Sequence, residues 1–451
     1  MQKVEDYKKA AVDLLRAKDL RALKFLLQDL EPAYVVDIIT DLPPKEKLVI
    51  FRLLPKDLAA DVFSELEADD QEKLLSLFKD EMIKEILDEM DPDDRAELFD
   101  EMPANVVKRL LHLLPPEEKE LTMELLNYPE NSAGRMMNPH FIDLYQDMTV
   151  AEALLRIRER GRELEKETIY TPFVIDRGRR LVGVTDLKDL ILADSGTEVA
   201  DIMNKDPVFV YTTMDQEEVA QIAQKHDLIT IPVVDSEMRL VGVITIDDIV
   251  DVIEEEVTED IHHMASMNTI QSSYFHTPLK VFIRNRLPWL SLLLLMGSIT
   301  ANVVARYEEL LAAIPIIAAF FTTMSGTGGN VGSQSAVIVI RAMALGEIKP
   351  KDWHKVMARE LISSLFIALP LSALLLARAF LVSPDFKLNL GIAVSLIVVT
   401  VYANVLGAML PFLGILLKID PAVMAGPLLA TLVDVSGIAI YFAIIKAFVG
   451  S

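Results

Sequence analysis

Val174–Leu190 (VIDRGRRLVGVTDLKDL) is echoed further along the chain by Val233–Ile249 (VVDSEMRLVGVITIDDI). The echo extends upstream. Arg135–Asn138 (RMMN) matches Asp201–Asn204 (DIMN), and Asp147–Leu154 (DMTVAEAL) matches Asp215–Ile222 (DQEEVAQI). β-Branched runs bounded by polar turns read as strands, and each copy predicts strand, helix, strand, turn, strand, helix. Residues 129–262 are thus a duplicated α/β pair, and the rest of the chain is arranged around it.

Upstream, over residues 1–128, apolar residues recur every twelfth position at Leu30, Leu42, Leu54, Leu66, Phe78, Met90, Met102, Leu114 and Leu126. Pro43, Pro55, Glu67, Asp91, Pro103 and Pro115 follow them. Proline suits the first turn of a helix and acids suit its N-terminus, so each unit predicts one short helix and a turn. Stacked units make an α-helical solenoid N domain. The first residues form a charged amphipathic helix without the apolar core of a signal peptide, which places this segment in the cytoplasm.

Downstream, residues 276–451 are a membrane domain. Five apolar runs, Leu287–Arg306, Leu310–Arg341, Leu361–Leu381, Leu388–Leu417 and Ala422–Val449, meet the requirement of about 20 residues for a span. Basic residues precede span 1 (Lys280, Arg284, Arg286), separate spans 2 and 3 (Arg341, Lys349, Lys351, Lys355, Arg359) and separate spans 4 and 5 (Lys418). Their distribution puts the N-terminus inside and the C-terminus outside a multi-pass plasma or inner membrane protein. The fold class is therefore multi-domain, α and α/β: helical solenoid, tandem pair, five-helix transmembrane domain.

The two halves differ in charge. Of 68 acidic and 44 basic residues, 60 and 31 fall in the first 275, a net of −29, and 8 and 13 in the remainder, a net of +5. Such an acidic surface repels nucleic acid and anionic lipid and attracts multivalent cations. There is no cysteine, which excludes disulfides, thiolate catalysis and Cys-ligated metal centres. No nucleophile–base constellation stands out in the acidic half, so an enzyme is not expected.

Asp434 is the acid read as lying deep in a span, within PLLATLVDVSG at 427–437. A carboxylate there is costly, and a polar pathway is the reading preferred over a packing acid. In span 2, Ser325–Ser335 (SGTGGNVGSQS) interrupts the apolar helix. Irregular backbone at membrane depth survives where it is buried or lines water. Packing and pore lining stay equally open for its glycines, with pore lining favoured for Asn330. Asn404 beside Gly407 and Pro411 adds a polar position in span 4, and Gly426-Pro427 either unwinds the start of span 5 or marks a loop boundary. Acids also cluster from Asp247 to Asp260 and at Asp93, Asp94 and Glu97. A solvated face is the plain reading of any one of them; as a set they read as a divalent-cation sensor. His262 and His263, being adjacent, read as solvated.

The duplicated RLVGV strand followed by Thr or Asp before a helix resembles a tandem pair of CBS domains. The order of segments, with GTGGNVGSQS at 326–335, ANVLGAMLPF at 403–412 and ATLVDVSG at 430–437, resembles the MgtE family of magnesium channels and transporters. That resemblance implies a homodimer in the lipid bilayer whose span-5 helices line one pore. Asp434 matches its pore carboxylate and Ala430 a carbonyl-donating position. It further implies regulatory Mg²⁺ ligands at Asp93, Glu97, Glu217, Asp227, Asp248, Asp251, Glu256, Glu259 and Asp260; Glu255 shares a helix face with Asp248 and Asp251 and joins the set. At high internal Mg²⁺ a connecting helix at 247–275 would plug the pore. Gly426 stands where some members carry a pore-mouth Asn. Thr245 and Asp248 fit the Thr-x-x-Asp ribose contact of CBS pairs, which implies ATP as a second ligand. The expected function is Mg²⁺ import gated by cytosolic Mg²⁺. The rivals are a carrier of Mn²⁺ or Co²⁺, less favoured because the spans offer oxygen ligands, and a membrane-anchored CBS sensor.

Overall fold

The twelve-residue sequence period is the period of the helices. In a computed structural model that describes residues 2–40, 42–161, 166–270, 274 and 277–449, two leading helices, α1 (Gln2–Ala17) and α2 (Leu20–Leu27), precede eight more. These are α3 (Pro32–Thr40), α4 (Pro44–Phe51), α5 (Lys56–Ser64), α6 (Ala68–Leu77), α7 (Asp80–Glu89), α8 (Pro92–Glu101), α9 (Ala104–Leu113) and α10 (Pro116–Leu126), each starting 12 residues after the last. Phe78, Met90, Met102 and Leu114 end their helices in extended conformation. Pro55, Pro103 and Pro115 stand one residue before a helix rather than in its first turn. Alternate helices pack together, α3 on α5, α5 on α7 and α7 on α9 in one row, α4 on α6 and α8 on α10 in the other. Phe51, Phe63 and Phe78 meet at ring distances of 5.4–6.2 Å in the core between them.

Each copy of the duplicated pair is built on a three-stranded sheet. Copy 1 comprises β1 (Asp143–Tyr145), α11 (Val150–Arg160), α12 (Lys166–Tyr170), β2 (Phe173–Ile175), β3 (Leu181–Val184), α13 (Leu187–Leu192) and α14 (Val199–Ile202). Copy 2 comprises β4 (Val210–Tyr211), α15 (Gln216–His226), β5 (Thr230–Val234), β6 (Leu240–Thr245) and α16 (Ile246–Met264). In both, the middle strand pairs parallel with the first and antiparallel with the third. The copies interlock: Asn138, ahead of copy 1, bridges Val243 of copy 2, and Asn204, ahead of copy 2, bridges Val184 of copy 1. A Cβ on Gly242 would lie 2.7 Å from the Met137 side chain, and one on Gly183 would lie 2.7 Å from that of Met203. The repeated Met-Asn and Val-Gly-Val are thus two halves of one contact made twice. Ala96 of α8 and Leu125 share the core of copy 2 with Val219, Ile249 and Val252.

The chain divides into two compact units, one of residues before Glu255 and one from Glu255 onward apart from a short segment at 272–276. The connecting helix expected over 247–275 is shorter: α16 stops at Met264, and Ser266 adopts φ +53°. Residues 271–273 and 275 of that expected helix lie outside the described residues.

The second unit contains α17 (Leu279–Ala305), α18 (Glu308–Ala313), α19 (Ile317–Ala344), α20 (Trp353–Phe380), α21 (Phe386–Leu417) and α22 (Gly426–Val449). Among the described residues, four segments are long and apolar enough to cross a membrane: Leu279–Ala305, Pro350–Phe380, Phe386–Leu417 and Pro421–Val449. α19 has the length, at 28 residues, but its polar run makes it less apolar. The expected break in that helix is absent: α19 is regular through all its glycines, and Leu310 belongs to α18 instead. The glycines serve close approach. A Cβ on Gly407 of α21 would collide with the Gly332 carbonyl of α19, and one on Gly328 would lie 2.8 Å from Val433.

Candidate ion pathway and acidic cluster

α22 carries Gly426, Ala430 and Asp434 at four-residue spacing, so all three share one face, and each is half-buried. α19 runs antiparallel along that face. The Ser325 hydroxyl donates to the Asp434 carboxylate, and Ala430 lies 3.7 Å from where a Cβ of Gly329 would be. Gly426 has φ +55°, and the Met264 carbonyl at the end of α16 occupies the space a side chain would need. Gly426-Pro427 is therefore a helix start with left-handed entry. Asn330 is exposed.

Asn404 is not part of this face. Its side chain, 3% exposed, donates to Glu360 Oε2 at 2.8 Å and to the Glu360 carbonyl at 3.0 Å. Ser335 donates to the same Oε2 at 3.0 Å and Ser363 at 3.4 Å. Asp434 is thus not the only acid within these helices. Glu360 escaped the sequence reading because it falls one residue before the apolar run beginning at Leu361, whereas the helix begins at Trp353.

In the first unit, acids at the end of α5, the start of α8 and the start of α16 act on one another: beside burial, the largest cause for each, Asp61 and Asp251 raise Glu65, Asp91, Asp247 and Asp61 raise Asp94, Asp247 and Asp94 raise Asp248, and Asp247 raises Asp251. Burial, then the charges of Asp91, Asp247 and Asp61, pushes Asp94 up to about 7. Burial and Asp247 hold Asp248 well above the usual carboxylate range, although Thr245 donates to it through Oγ1 at 2.8 Å. Thr245 and Asp248, the expected ribose contact, are thus bonded to each other. Asp93, Asp94 and Glu97, the acids expected together on α8, differ in their surroundings. Asp94 is the α8 acid whose charge is felt by Asp248, while Asp93 is buried and Glu97 exposed. Glu217 and Asp227 sit at opposite ends of α15, so one chain does not bring them together.

In the second unit, the far end of α16 makes a separate group. His263 Nδ1 lies 2.5 Å from Asp420 and Nε2 lies 3.7 Å from Glu259, an arrangement able to hold a metal ion. Burial, Asp420 and Glu256 push Asp260 up to about 6. The histidines are not solvated as expected: both are half-buried, and His262 Nδ1 accepts from the Ile270 N–H at 3.4 Å. Glu255 is exposed and Glu256 half-buried on the same helix. Asp420 and His263 were missed because their partnership joins residues 157 positions apart.

Residues 321–444 match MgtE, a divalent cation transporter, residues 30–131 match the MgtE intracellular N domain, and residues 133–196 and 199–255 match CBS domains. The magnesium transporter MgtE of Thermus thermophilus is 40% identical over 71% of this chain and 71% of its own length. The chain belongs to the MgtE family. Bacillus subtilis MgtE is 34% identical over 74% of this chain and 73% of its own length. The crystallised cytosolic domain of the Mg²⁺ channel MgtE in complex with ATP aligns with 54% of this chain and 99% of its own, at 37% identity and a TM-score of 0.52. This MgtE-family chain is a membrane transporter protein and not an enzyme.

Proposed function

We propose that this MgtE-family protein is a Mg²⁺-selective channel that admits Mg²⁺ to the cytoplasm and is closed by cytosolic Mg²⁺. The observation that carries the reading is Asp434: a carboxylate on one face of α22 with Ala430 and Gly426, held by the neutral Ser325 and paired with no basic residue among the described residues. Mg²⁺ sheds water reluctantly, so a carboxylate that meets it through its hydration shell suits it better than a fitted cage. The magnesium transporters of T. thermophilus and B. subtilis support this cargo over Mn²⁺ or Co²⁺.

Five spans, with α19 as the second, put the N-terminus inside and the C-terminus outside. Two copies would set their α22 helices side by side and let Glu217 of one copy serve with Asp227 of the other. The cluster of Asp61, Asp91, Asp94, Asp247 and Asp248 is the closing device. Its mutual repulsion opposes the compact arrangement of α5, α8 and α16, and a divalent cation relieves it. Glu259, His263 and Asp420 fix the end of α16 to the residues leading into α22. ATP is a second ligand of the CBS pair, supported by the ATP-bound MgtE cytosolic domain.

The test is Mg²⁺ uptake by proteoliposomes holding the full chain or its Asp434→Ala variant, with lumenal and external Mg²⁺ varied separately. Loss of uptake in the variant supports the pore reading; uptake equal to the parent's would make Asp434 a packing residue. Mn²⁺ or Co²⁺ uptake that outcompetes Mg²⁺ would favour the rival cargo.

A further inference from the structure

Glu360 is a carboxylate within a membrane helix, held by donors from three helices: Ser335 of α19, Ser363 of α20 and Asn404 of α21. All three reach Oε2, and it forms no ion pair among the described residues. A cluster of neutral donors on one oxygen is an environment for an acceptor, which an ionised carboxylate supplies.

What it fixes is α19. Three residues before Ser335, Gly332 meets Gly407, which is three residues after Asn404, at a crossing too tight for a side chain. The backbone contact sets the distance between α19 and α21. To that packing the Ser335–Glu360–Asn404 bonds add a directional restraint. Ser325, the residue that touches Asp434, lies ten residues away on the same unbroken helix, about 15 Å along its axis. We infer that Glu360 is a positioning residue of the ion pathway: by fastening α19 to α20 and α21 it determines how α19 presents Ser325 to Asp434. The inference rests on the reading of Asp434 as the pore carboxylate.

The experiment compares parent, Glu360→Ala, Glu360→Gln, Asn404→Ala and Asp434→Ala as full chains in proteoliposomes. It records half-saturating Mg²⁺, maximal uptake, the Mg²⁺ to Mn²⁺ uptake ratio and the thermal midpoint. Groups that orient a metal ligand typically alter affinity or activity about tenfold or more on removal. Glu360→Ala is expected to raise half-saturating Mg²⁺ about tenfold and lower the Mg²⁺ preference. Glu360→Gln, which keeps one acceptor oxygen for Asn404, is expected to stay within about threefold of the parent. Asn404→Ala removes the shortest bond and leaves the charge in place; it should fall between them, and it serves if Glu360→Ala does not fold. Half-saturation and ion preference unchanged in both Glu360→Ala and Asn404→Ala, even with a lowered thermal midpoint, would reduce Glu360 to a packing role and overturn the inference. Parent-like uptake in Asp434→Ala would instead remove the pore reading, a separate failure.

Discussion

The acids of the membrane helices and those of the first unit are treated in opposite ways by their surroundings. Asp434 and Glu360 are each met by neutral donors: Ser325 in one case, Ser335, Ser363 and Asn404 in the other. Asp94 and Asp248 are pushed up first by burial and then by neighbouring acids, although Ser64 and Thr245 donate to them. Donors fix where a carboxylate points, whereas like charges make its ionisation cost energy until a cation or proton arrives. One region is arranged to hold its acids in place and the other to respond to concentration.

The largest expected effect tests the acid held in place. Asp434→Asn is nearly isosteric and keeps an acceptor for Ser325, so it removes charge with little change of shape. Uptake by proteoliposomes should fall about a hundredfold, the scale for removing an electrostatic group aimed at a passing charge. A variant within a fewfold of the parent would erase the contrast, since the pathway would then work without the fixed charge.

Neutralising the responsive cluster should act in the opposite direction. Asp94→Asn with Asp248→Asn removes repulsion and cation ligands together, so closure no longer reports Mg²⁺. At inhibitory Mg²⁺ on the cytosolic face, uptake should rise about tenfold, the scale of an ordinary coupling between two sites. Unchanged inhibition would move the sensor elsewhere, with Glu259, His263 and Asp420 the next group to test.

Much of this contrast was legible in the sequence, and its failures have one cause. The twelve-residue period gave the helices of the N domain because each helix sees mainly its neighbours in the stack. The duplication gave both sheets, since each Gly-Val of one copy packs on the Met-Asn ahead of the other. Asp434 stood out because a lone acid in an apolar run is visible without knowing its partners. Glu360, Asp420 and His263 did not, because their meaning lies in contacts between distant segments. Regularity in α19 was likewise invisible: glycine and polar residues read as a break, while the close crossings with α21 and α22 supply the packing that keeps the helix whole.

A smaller effect sharpens the membrane side. Ser325→Ala removes the donor to Asp434 and leaves the charge. A hydrogen bond to a charged group contributes about 1.5–3 kcal/mol, tenfold or more; where water beside a pathway replaces the hydroxyl most of that is recovered, so half-saturating Mg²⁺ should shift by less than about tenfold. A shift near fivefold with maximal uptake preserved would separate orientation of Asp434 from its charge. No shift would mean that Ser325 only packs.

The smallest effect is on the responsive side and concerns pH. The ordinary pKa of Asp94 is 3.8, and in the folded arrangement it is pushed up to about 7. Between those values the compact form binds a proton that a separated α8 would release. Its stabilising contribution is therefore fully present below about pH 4 and is lost as pH rises through about 7; Asp248, shifted the same way, adds to it. Without Mg²⁺, the full chain in detergent should become about two- to threefold more susceptible to limited proteolysis between the N domain and the CBS pair as pH rises from 5.5 to 8, where local opening governs cleavage. Saturating Mg²⁺ should flatten the dependence, because a cation bound by ionised carboxylates replaces the proton. Equal susceptibility across that range without Mg²⁺ would show that other contacts, such as the core shared by Ala96, Leu125 and Ile249, hold these elements whatever their charge. The contrast between fixed and responsive acids would then belong to the membrane helices alone.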